Sequence, residues 1–357
     1  MSYQHNLQRQ SEVIRALRAP LMLLVVFIHV PFASDYGQAL SLPTLSGLWF
    51  YGYISKLISY TLGHIAVPTF FFISGYYLFY KSQNWLRQEV YFAEIKKRIR
   101  TLLIPYIIWI GIPFILGICL DLVKAKGHLS LESYWMPLCS LKTLTTVLLD
   151  SSSNFPLWYL RDLIIITLFA PLIYFIVHRP FYIFLLLLIL FIVFYPLNTP
   201  TFRGVLYVTL GAYMGCRHID VIMYLDRIRF PLLLLFAVAT ILLPFVAGAP
   251  YHYNLIQFYI PLGVASTLLL GAYAYDKSAN WRHWMIRAEE SVFFVYVAHE
   301  VLILSFVKGV LYKIGWLSTV PGYFICGIIV YGICICGYYI LRRLIPSALA
   351  ISLGGRI

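Results

Sequence analysis

Long apolar stretches alternate with short polar gaps along almost the whole chain. A helix that crosses a bilayer needs roughly 20 mostly apolar residues, and ten stretches approach that length. The predicted transmembrane helices cover residues 12–33, 63–81, 98–121, 156–177, 180–196, 202–217, 229–248, 254–275, 290–309 and 321–344. The pattern therefore predicts an all-α, polytopic membrane protein with about ten transmembrane helices.

Two segments between these stretches follow other patterns. Residues 45–62 mix apolar, aromatic and polar side chains, which favours an amphipathic helix in the membrane interface, with an eleventh transmembrane helix as the alternative. Residues 122–155 form the longest polar loop. Since no segment has the pattern of a soluble domain, we interpret residues 1–357 as one transmembrane domain.

The composition excludes an ordinary soluble protein. Hydrophobic residues make up 61% of the chain and charged residues 11%, against about 45–50% and about 25% in soluble domains. The six cysteines show no metal-ligand spacing such as CxxC, so no metal cofactor is expected.

The net charge of +13 would suggest a nucleic-acid partner in a soluble protein, but none is expected here. The basic residues lie in the gaps between apolar stretches, where Lys and Arg set membrane orientation. Placing the N-terminus in the cytoplasm puts most of the 27 Lys and Arg residues on that side. An even number of spanning helices then makes both termini cytoplasmic. A polyanionic ligand is the second explanation of the positive net charge.

Two ionisable residues share the first predicted helix. Arg18 and His29 are 11 positions apart, which is three helical turns plus about 20°, with a rise of about 16 Å. Their side chains therefore share one face, and ionisable groups within a membrane usually face a polar interior. The alternatives are that Arg18 is an interfacial anchor and that His29 is a hydrogen-bonded packing residue.

With these features the sequence resembles the acyltransferase-3 family of integral-membrane O-acyltransferases, over nearly the whole chain. The family's first helix carries an Arg, ten residues and a His, as Arg18 and His29 do here. Three further family motifs follow in order: PTFFFISGYYL at 68–78, LWYL at 157–160, and SVFFVYVAHE, which contains Ser291, Tyr296 and His299.

The resemblance implies transfer of an acyl group, expected to be acetyl, from cytoplasmic acyl-CoA to a hydroxyl. The expected acceptor is an extracytoplasmic glycan or a lipid-linked sugar, and the expected location is the inner membrane of a bacterium. Acyl-CoA, the acceptor and membrane lipid are then the partners, and a homo-oligomer is left open.

A catalytic set follows from this resemblance and from the chemistry of the residues. A neutral His29 near the outer end of its helix could take the proton of a hydroxyl that attacks a thioester. Ser74, the Gly75 amide or Tyr296 could donate to the oxyanion, although Ser and Gly in this helix could instead serve close packing. The predicted catalytic residues are His29, Arg18, Ser74, Tyr296 and His299.

Two binding regions complete the hypothesis. A basic loop on the inner side could hold coenzyme A phosphates, or could simply reflect membrane topology. Its predicted ligands, together with Arg18, are Lys96, Lys97, Arg98 and Arg100. The predicted acceptor-binding residues on the outer side are His64, Trp158, Arg161 and Asp162. Arg161 and Asp162 could instead form a local charge pair, Trp158 could belong to an interfacial aromatic belt, and Asp35 could orient His29.

Two rival interpretations remain open from the sequence. Arg and His within membrane helices also mark transport pathways, so a multi-pass small-molecule transporter is the alternative from another class. A succinyl or longer acyl group is the alternative within the same class, and a basic pocket beside His29 would favour succinyl. The enzyme hypothesis predicts a continuous tunnel from Arg18 to His29.

Overall fold

The computed structural model describes residues 3–31, 40, 46–81, 84–124, 145, 154–194 and 199–356, and these residues form helices and their connections without a strand. The prediction of an all-α protein is confirmed. In the first half the helices are α1 (Tyr3–Ala16), α2 (Arg18–Ile28), α3 (Gly47–Ser55), α4 (Gly63–Tyr80), α5 (Gln88–Arg98), α6 (Ile104–Lys124), α7 (Trp158–Leu168) and α8 (Ala170–Val177).

The described residues of the second half contain ten further α-helices. They are α9 (Phe181–Phe194), α10 (Pro200–Cys216), α11 (Val221–Arg227), α12 (Arg229–Leu242), α13 (His252–Lys277), α14 (Ala279–Glu289), α15 (Val292–Ala298), α16 (Ser305–Lys313), α17 (Val320–Leu344) and α18 (Pro346–Ser352). Short π-helical segments join three pairs of helices without a break: Lys56–Leu62, Ile99–Leu103 and His299–Leu304.

Within the described ranges, six helical runs are long and apolar enough to cross a membrane. A seventh crossing results if α7, with the preceding turn, and α8 count together, although these bend by 67° at their junction. The chain is therefore a multi-pass membrane protein. The six continuous runs are Gly47–Tyr80, Gln88–Gly117, Arg229–Val246, His252–Lys277, Val292–Lys313 and Val320–Leu344.

The difference from ten spanning helices arises where the apolar stretches form shorter helices. A turn at Leu17 divides the predicted helix 12–33 into α1, of 14 residues, and α2, of 11. The predicted helices 180–196 and 202–217 correspond to α9, of 14 residues, and α10, of 17. Each is shorter than the roughly 20 residues that cross a hydrocarbon core. The number ten and the cytoplasmic termini stay predictions.

The segment predicted at the interface, residues 45–62, is not a separate element. It continues through the π-helical segment into α4 and forms one helical run of 34 residues, Gly47–Tyr80. A helix of that length extends about 50 Å, which exceeds a hydrocarbon core of about 30 Å. Part of this run therefore lies beyond the core. Most of the predicted polar loop 122–155 is outside the described residues.

The most extensive helix–helix interface joins α4 and α10 at the centre of the molecule. Two glycines make it possible, because a Cβ on Gly75 would lie 2.1 Å from the Val208 carbonyl oxygen and one on Gly211 would lie 2.1 Å from that of Phe72. Such close backbone approach through small residues is typical of packing in membranes. By contrast, α9 and α12 bury almost none of their apolar side chains and form the lipid-facing periphery.

Replacing Gly211 by Ala should destabilise the protein by about 3 kcal/mol, because the added methyl group meets backbone atoms that cannot move aside. Thermal unfolding in detergent measures the effect. Gly332→Ala is the matched control, since a Cβ there meets no atom within 4 Å. Equal melting temperatures for the two variants would contradict the packing described for α4 and α10.

Candidate functional site

One cavity of about 970 Å³ lies among α2, α4, α7 and α15. Its wall includes Arg18, the first residue of α2, and His29, the residue directly after the end of α2. Between these two levels the wall is mostly apolar and aromatic, with Met22, Val25 and Phe70 among its residues. The structure therefore places both ionisable residues of the first predicted helix on the same internal space.

At one end of the cavity, Glu289 forms ion pairs with two arginines of the N-terminal helices. The Arg18 Nη1 donates to Glu289 Oε1 at 2.9 Å, and the Arg15 Nε donates to Oε2 at 3.0 Å. The Arg18 guanidinium also lies over the ring of Tyr77, 5.0 Å from its centroid. Arg18 is therefore held at the cavity wall by a carboxylate and an aromatic face rather than extended into solvent.

Arg356 lines the same end and was not singled out by the sequence analysis. Its Nη1 donates to the carbonyl oxygens of Thr101, at 2.9 Å, and Leu353, at 3.0 Å, and its guanidinium stacks over Phe293. Burial, together with the charges of Arg18 and Arg98, lowers the pKa of Arg356 to about 10. The Gly-Gly pair just before Arg356 is the sequence signal that could have revealed this turn.

At the other end, His29 faces polar side chains from the π-helical segment His299–Leu304. Its Nδ1 lies 4.0 Å from Glu300 Oε1, and its ring centroid lies 5.3 Å from that of His299. The His29 side chain is 16% exposed. Lys308 donates to the carbonyl oxygens of His29, at 3.2 Å, and Pro31, at 3.1 Å, which fixes the chain just beyond α2.

His299 stands behind His29, fully buried and outside the cavity wall. Its Nδ1 is within hydrogen-bond distance of two carbonyl oxygens, those of Val295 at 2.9 Å and Tyr296 at 3.0 Å. Carbonyl oxygens only accept, so the neutral ring carries its proton on Nδ1. Its Nε2 is buried without a hydrogen-bond partner. His299 therefore offers a hydrogen-bond acceptor close to His29.

The predicted oxyanion donors differ in how far their hydroxyls are already used. The Tyr296 hydroxyl donates to Pro156 O at 2.6 Å and accepts from Leu160 N at 3.3 Å, so its proton is committed to the backbone. The Ser74 hydroxyl shares a hydrogen bond of 2.8 Å with the Tyr159 hydroxyl, which donates to Phe70 O at 3.3 Å, and both residues line the cavity. The Tyr159 proton is thus also directed to the backbone, and Ser74 is the predicted donor whose hydroxyl proton can turn towards a ligand.

The predicted acceptor-binding residues separate into two groups. His64 and Trp158 line the cavity, and Arg203 lines it with them. Arg161 and Asp162 lie outside the wall: Arg161 Nη2 contacts Asp162 Oδ1 at 2.7 Å, and Thr201 donates to Oδ2 at 2.7 Å. Arg161 and Asp162 thus form a local charge pair, which was one of the two alternatives predicted for them from the sequence. Asp35 lies outside the described residues.

The predicted basic loop is helical. Its residues belong to α5 and to the π-helical segment Ile99–Leu103, and none of them lines the cavity. Glu94 pairs with two of them, Lys97 at 3.7 Å and Arg98 at 3.4 Å. The structure therefore does not bring Lys96, Lys97, Arg98 or Arg100 to the cavity wall.

Comparison with known proteins assigns the class. A family model described as an acyltransferase domain matches residues 12–339, and the chain belongs to this acyltransferase-3 family. It is therefore a membrane acyltransferase that transfers groups other than aminoacyl groups. The chain is similar to the succinoglycan biosynthesis protein ExoH of Rhizobium meliloti (strain 1021), with 25% identity over 366 residues, 96% of this chain and 92% of ExoH. No solved structure matches the chain.

Replacing Asp162 by Asn should lower the free energy of unfolding by about 2–3 kcal/mol, since a buried carboxylate that accepts three hydrogen bonds is lost. The melting temperature in detergent measures this. Asp226→Asn, in an exposed pair with Arg229, should stay near wild type. A normal melting temperature for Asp162→Asn, with weaker acceptor binding, would instead indicate that Arg161 and Asp162 bind substrate.

Proposed function

We propose that the protein is an O-acyltransferase that moves an acyl group from cytoplasmic acyl-CoA to a hydroxyl of an extracytoplasmic glycan or lipid-linked sugar. The observation that carries the proposal is the single cavity whose wall includes Arg18 and His29. Their separation along α2 corresponds to a rise of about 16 Å. The extended pantetheine arm of coenzyme A is of similar length, so the phosphates and the thioester can occupy the two levels together.

The proposed reaction begins with proton transfer to His29. The neutral imidazole takes the proton of the acceptor hydroxyl while that oxygen attacks the thioester carbonyl carbon. The Ser74 hydroxyl donates to the developing oxyanion. The carbon–sulfur bond then breaks, coenzyme A leaves as a thiolate, and the proton on His29 returns to the sulfur. The ester of the acceptor and free coenzyme A are the products.

Glu300 has a supporting role in this proposal. Its carboxylate lies 4.0 Å from His29 Nδ1, so a small rotation lets it accept the Nδ1 proton. That hydrogen bond leaves the Nε2 lone pair as the base and stabilises the imidazolium that forms during the attack. Glu300 thereby serves as a positioning residue for His29.

A glycan acceptor is supported by the similarity to ExoH, whose name links it to the biosynthesis of succinoglycan. The aromatic wall of the cavity, which includes Trp158 and Phe155, offers flat faces for a sugar ring near His29. The proposed location is the inner membrane of a bacterium.

The acyl group has two candidates. Acetyl is the expectation from the family resemblance. A succinyl-type group with a second carboxylate is favoured by one observation: Lys308 and Arg203 line the cavity together with His29 and His64. A guanidinium or ammonium group at that level can pair with a carboxylate at the far end of the acyl chain.

Replacing His29 by Ala or by Gln should lower the transfer rate about 10²–10⁴-fold, because the general base is lost, while the melting temperature stays near wild type. Acyl transfer in membranes is measured as release of free coenzyme A thiol and as acylated glycan by mass spectrometry. His283→Gln, on an exposed position of α14, is the control and should retain full activity. A rate above about a tenth of wild type in both His29 variants would exclude the role of general base.

Competition between acetyl-CoA and succinyl-CoA distinguishes the two acyl groups. If the group is succinyl, Arg203→Gln should lower kcat/KM for succinyl-CoA about tenfold and leave that for acetyl-CoA unchanged, since only the former has the carboxylate. If the group is acetyl, the wild type prefers acetyl-CoA, and Arg203→Gln changes kcat/KM for neither acetyl-CoA nor succinyl-CoA. The kcat/KM values of the two purified proteins decide between these outcomes.

A further inference from the structure

We infer that Arg356, carried by the turn that follows α18, is a phosphate-binding residue for the acyl-CoA donor. The inference deepens the proposed function and rests on it, since it assigns a ligand to a basic group at the Arg18 end of the cavity. The residues that the sequence pattern predicts for this task, Lys96 to Arg100, lie outside the cavity wall, whereas Arg356 is part of it.

The first argument is the balance of charge at this end of the cavity. Glu289 is shared by Arg15 and Arg18. Arg356 forms no ion pair with a carboxylate among the described residues. Arg356 is half-buried, and a cation withdrawn from water without a counter-charge is costly unless an anion joins it. The site thus holds more positive charge than its own carboxylates balance, which suits a polyanionic ligand.

The neighbouring carboxylates are already used by other cations. Glu94 accepts from Arg98 at 3.4 Å, and Glu290, which also lines the cavity, accepts from Arg342 at 2.8 Å. The Arg98 Nε is moreover buried without a partner. No carboxylate nearby is therefore left over to neutralise Arg356 in the described part of the chain.

The second argument is the geometry of the guanidinium. Both hydrogen bonds that Arg356 donates to the described residues use Nη1. The Nε and Nη2 groups, which form the other edge of the planar fork, make no hydrogen bond to the described residues. That edge presents parallel N–H donors of the kind that bind a phosphate through two oxygens. The Phe293 ring beneath the guanidinium fixes the plane of the fork.

The third argument is the backbone conformation of the turn that places Arg356 at the cavity wall. Gly354 and Gly355 have φ of +66° and +84°, values that favour glycine. A Cβ on Gly354 would lie 2.7 Å from the Thr101 backbone, so the turn packs directly on the π-helical segment Ile99–Leu103. The Trp109 Nε1 donates to Ser352 O at 3.0 Å and anchors the end of α18.

Binding to the purified full chain in a neutral detergent tests the assignment. Isothermal titration compares coenzyme A with pantetheine, which lacks the nucleotide and its phosphates. Arg356→Gln should weaken coenzyme A binding at least about tenfold and leave pantetheine binding unchanged, because only the phosphate contact is lost. Arg356→Lys, which keeps the charge but not the fork, should give an intermediate loss. Arg343→Gln is the matched control, an exposed arginine of α17 outside the cavity.

The outcomes separate this inference from the proposed function. If Arg18→Ala weakens coenzyme A binding but Arg356→Gln and Arg356→Lys do not, the role of Arg356 is wrong and the acyl-CoA proposal stands. If the wild type binds neither coenzyme A nor acyl-CoA, both are wrong. A lipid headgroup is the other possible source of phosphate, and titration with phosphatidylglycerol tests it. If Arg356→Gln weakens binding of this lipid but leaves the affinity for coenzyme A unchanged, the inference is overturned.

Discussion

The organisation of this protein depends on the cost of placing ionisable side chains inside a hydrocarbon medium. A membrane helix with an arginine at one end and a histidine at the other, on one face, cannot turn that face to lipid without a large penalty. The fold meets the constraint by surrounding the Arg18 and His29 face of α2 with a cavity of about 970 Å³. The lipid-facing surface is left to purely apolar helices such as α9.

Each end of α2 receives its polar partners from distant parts of the chain. Glu289, at the end of α14, pairs with Arg18, and Lys308, on α16, donates to the carbonyl oxygens that follow α2. Glu300 adds a carboxylate beside His29. These partners lie more than 250 positions from α2, so the cavity exists only when the C-terminal third of the chain has packed against the N-terminal helices.

Departures from regular α-helix concentrate around this cavity. Each of the three π-helical segments contributes to its wall, through Ser59, Leu102 and Glu300 respectively. An inserted residue shifts the register of a helix, so side chains on either side of the insertion face different directions. In the third segment His299 lies in the protein interior and Glu300 lines the cavity.

The sequence by itself determined the all-α membrane class, the acyltransferase family and the shared face of Arg18 and His29, because hydrophobic length, motif order and helical period are local properties. Tertiary structure decided what lies opposite that face. The bend between α7 and α8, the π-helical register at Glu300 and the return of Arg356 depend on contacts between remote residues. The Lys96–Arg100 cluster shows the limit of prediction from sequence. A run of basic residues along the chain does not specify which arginine side chain lines the cavity in the folded protein.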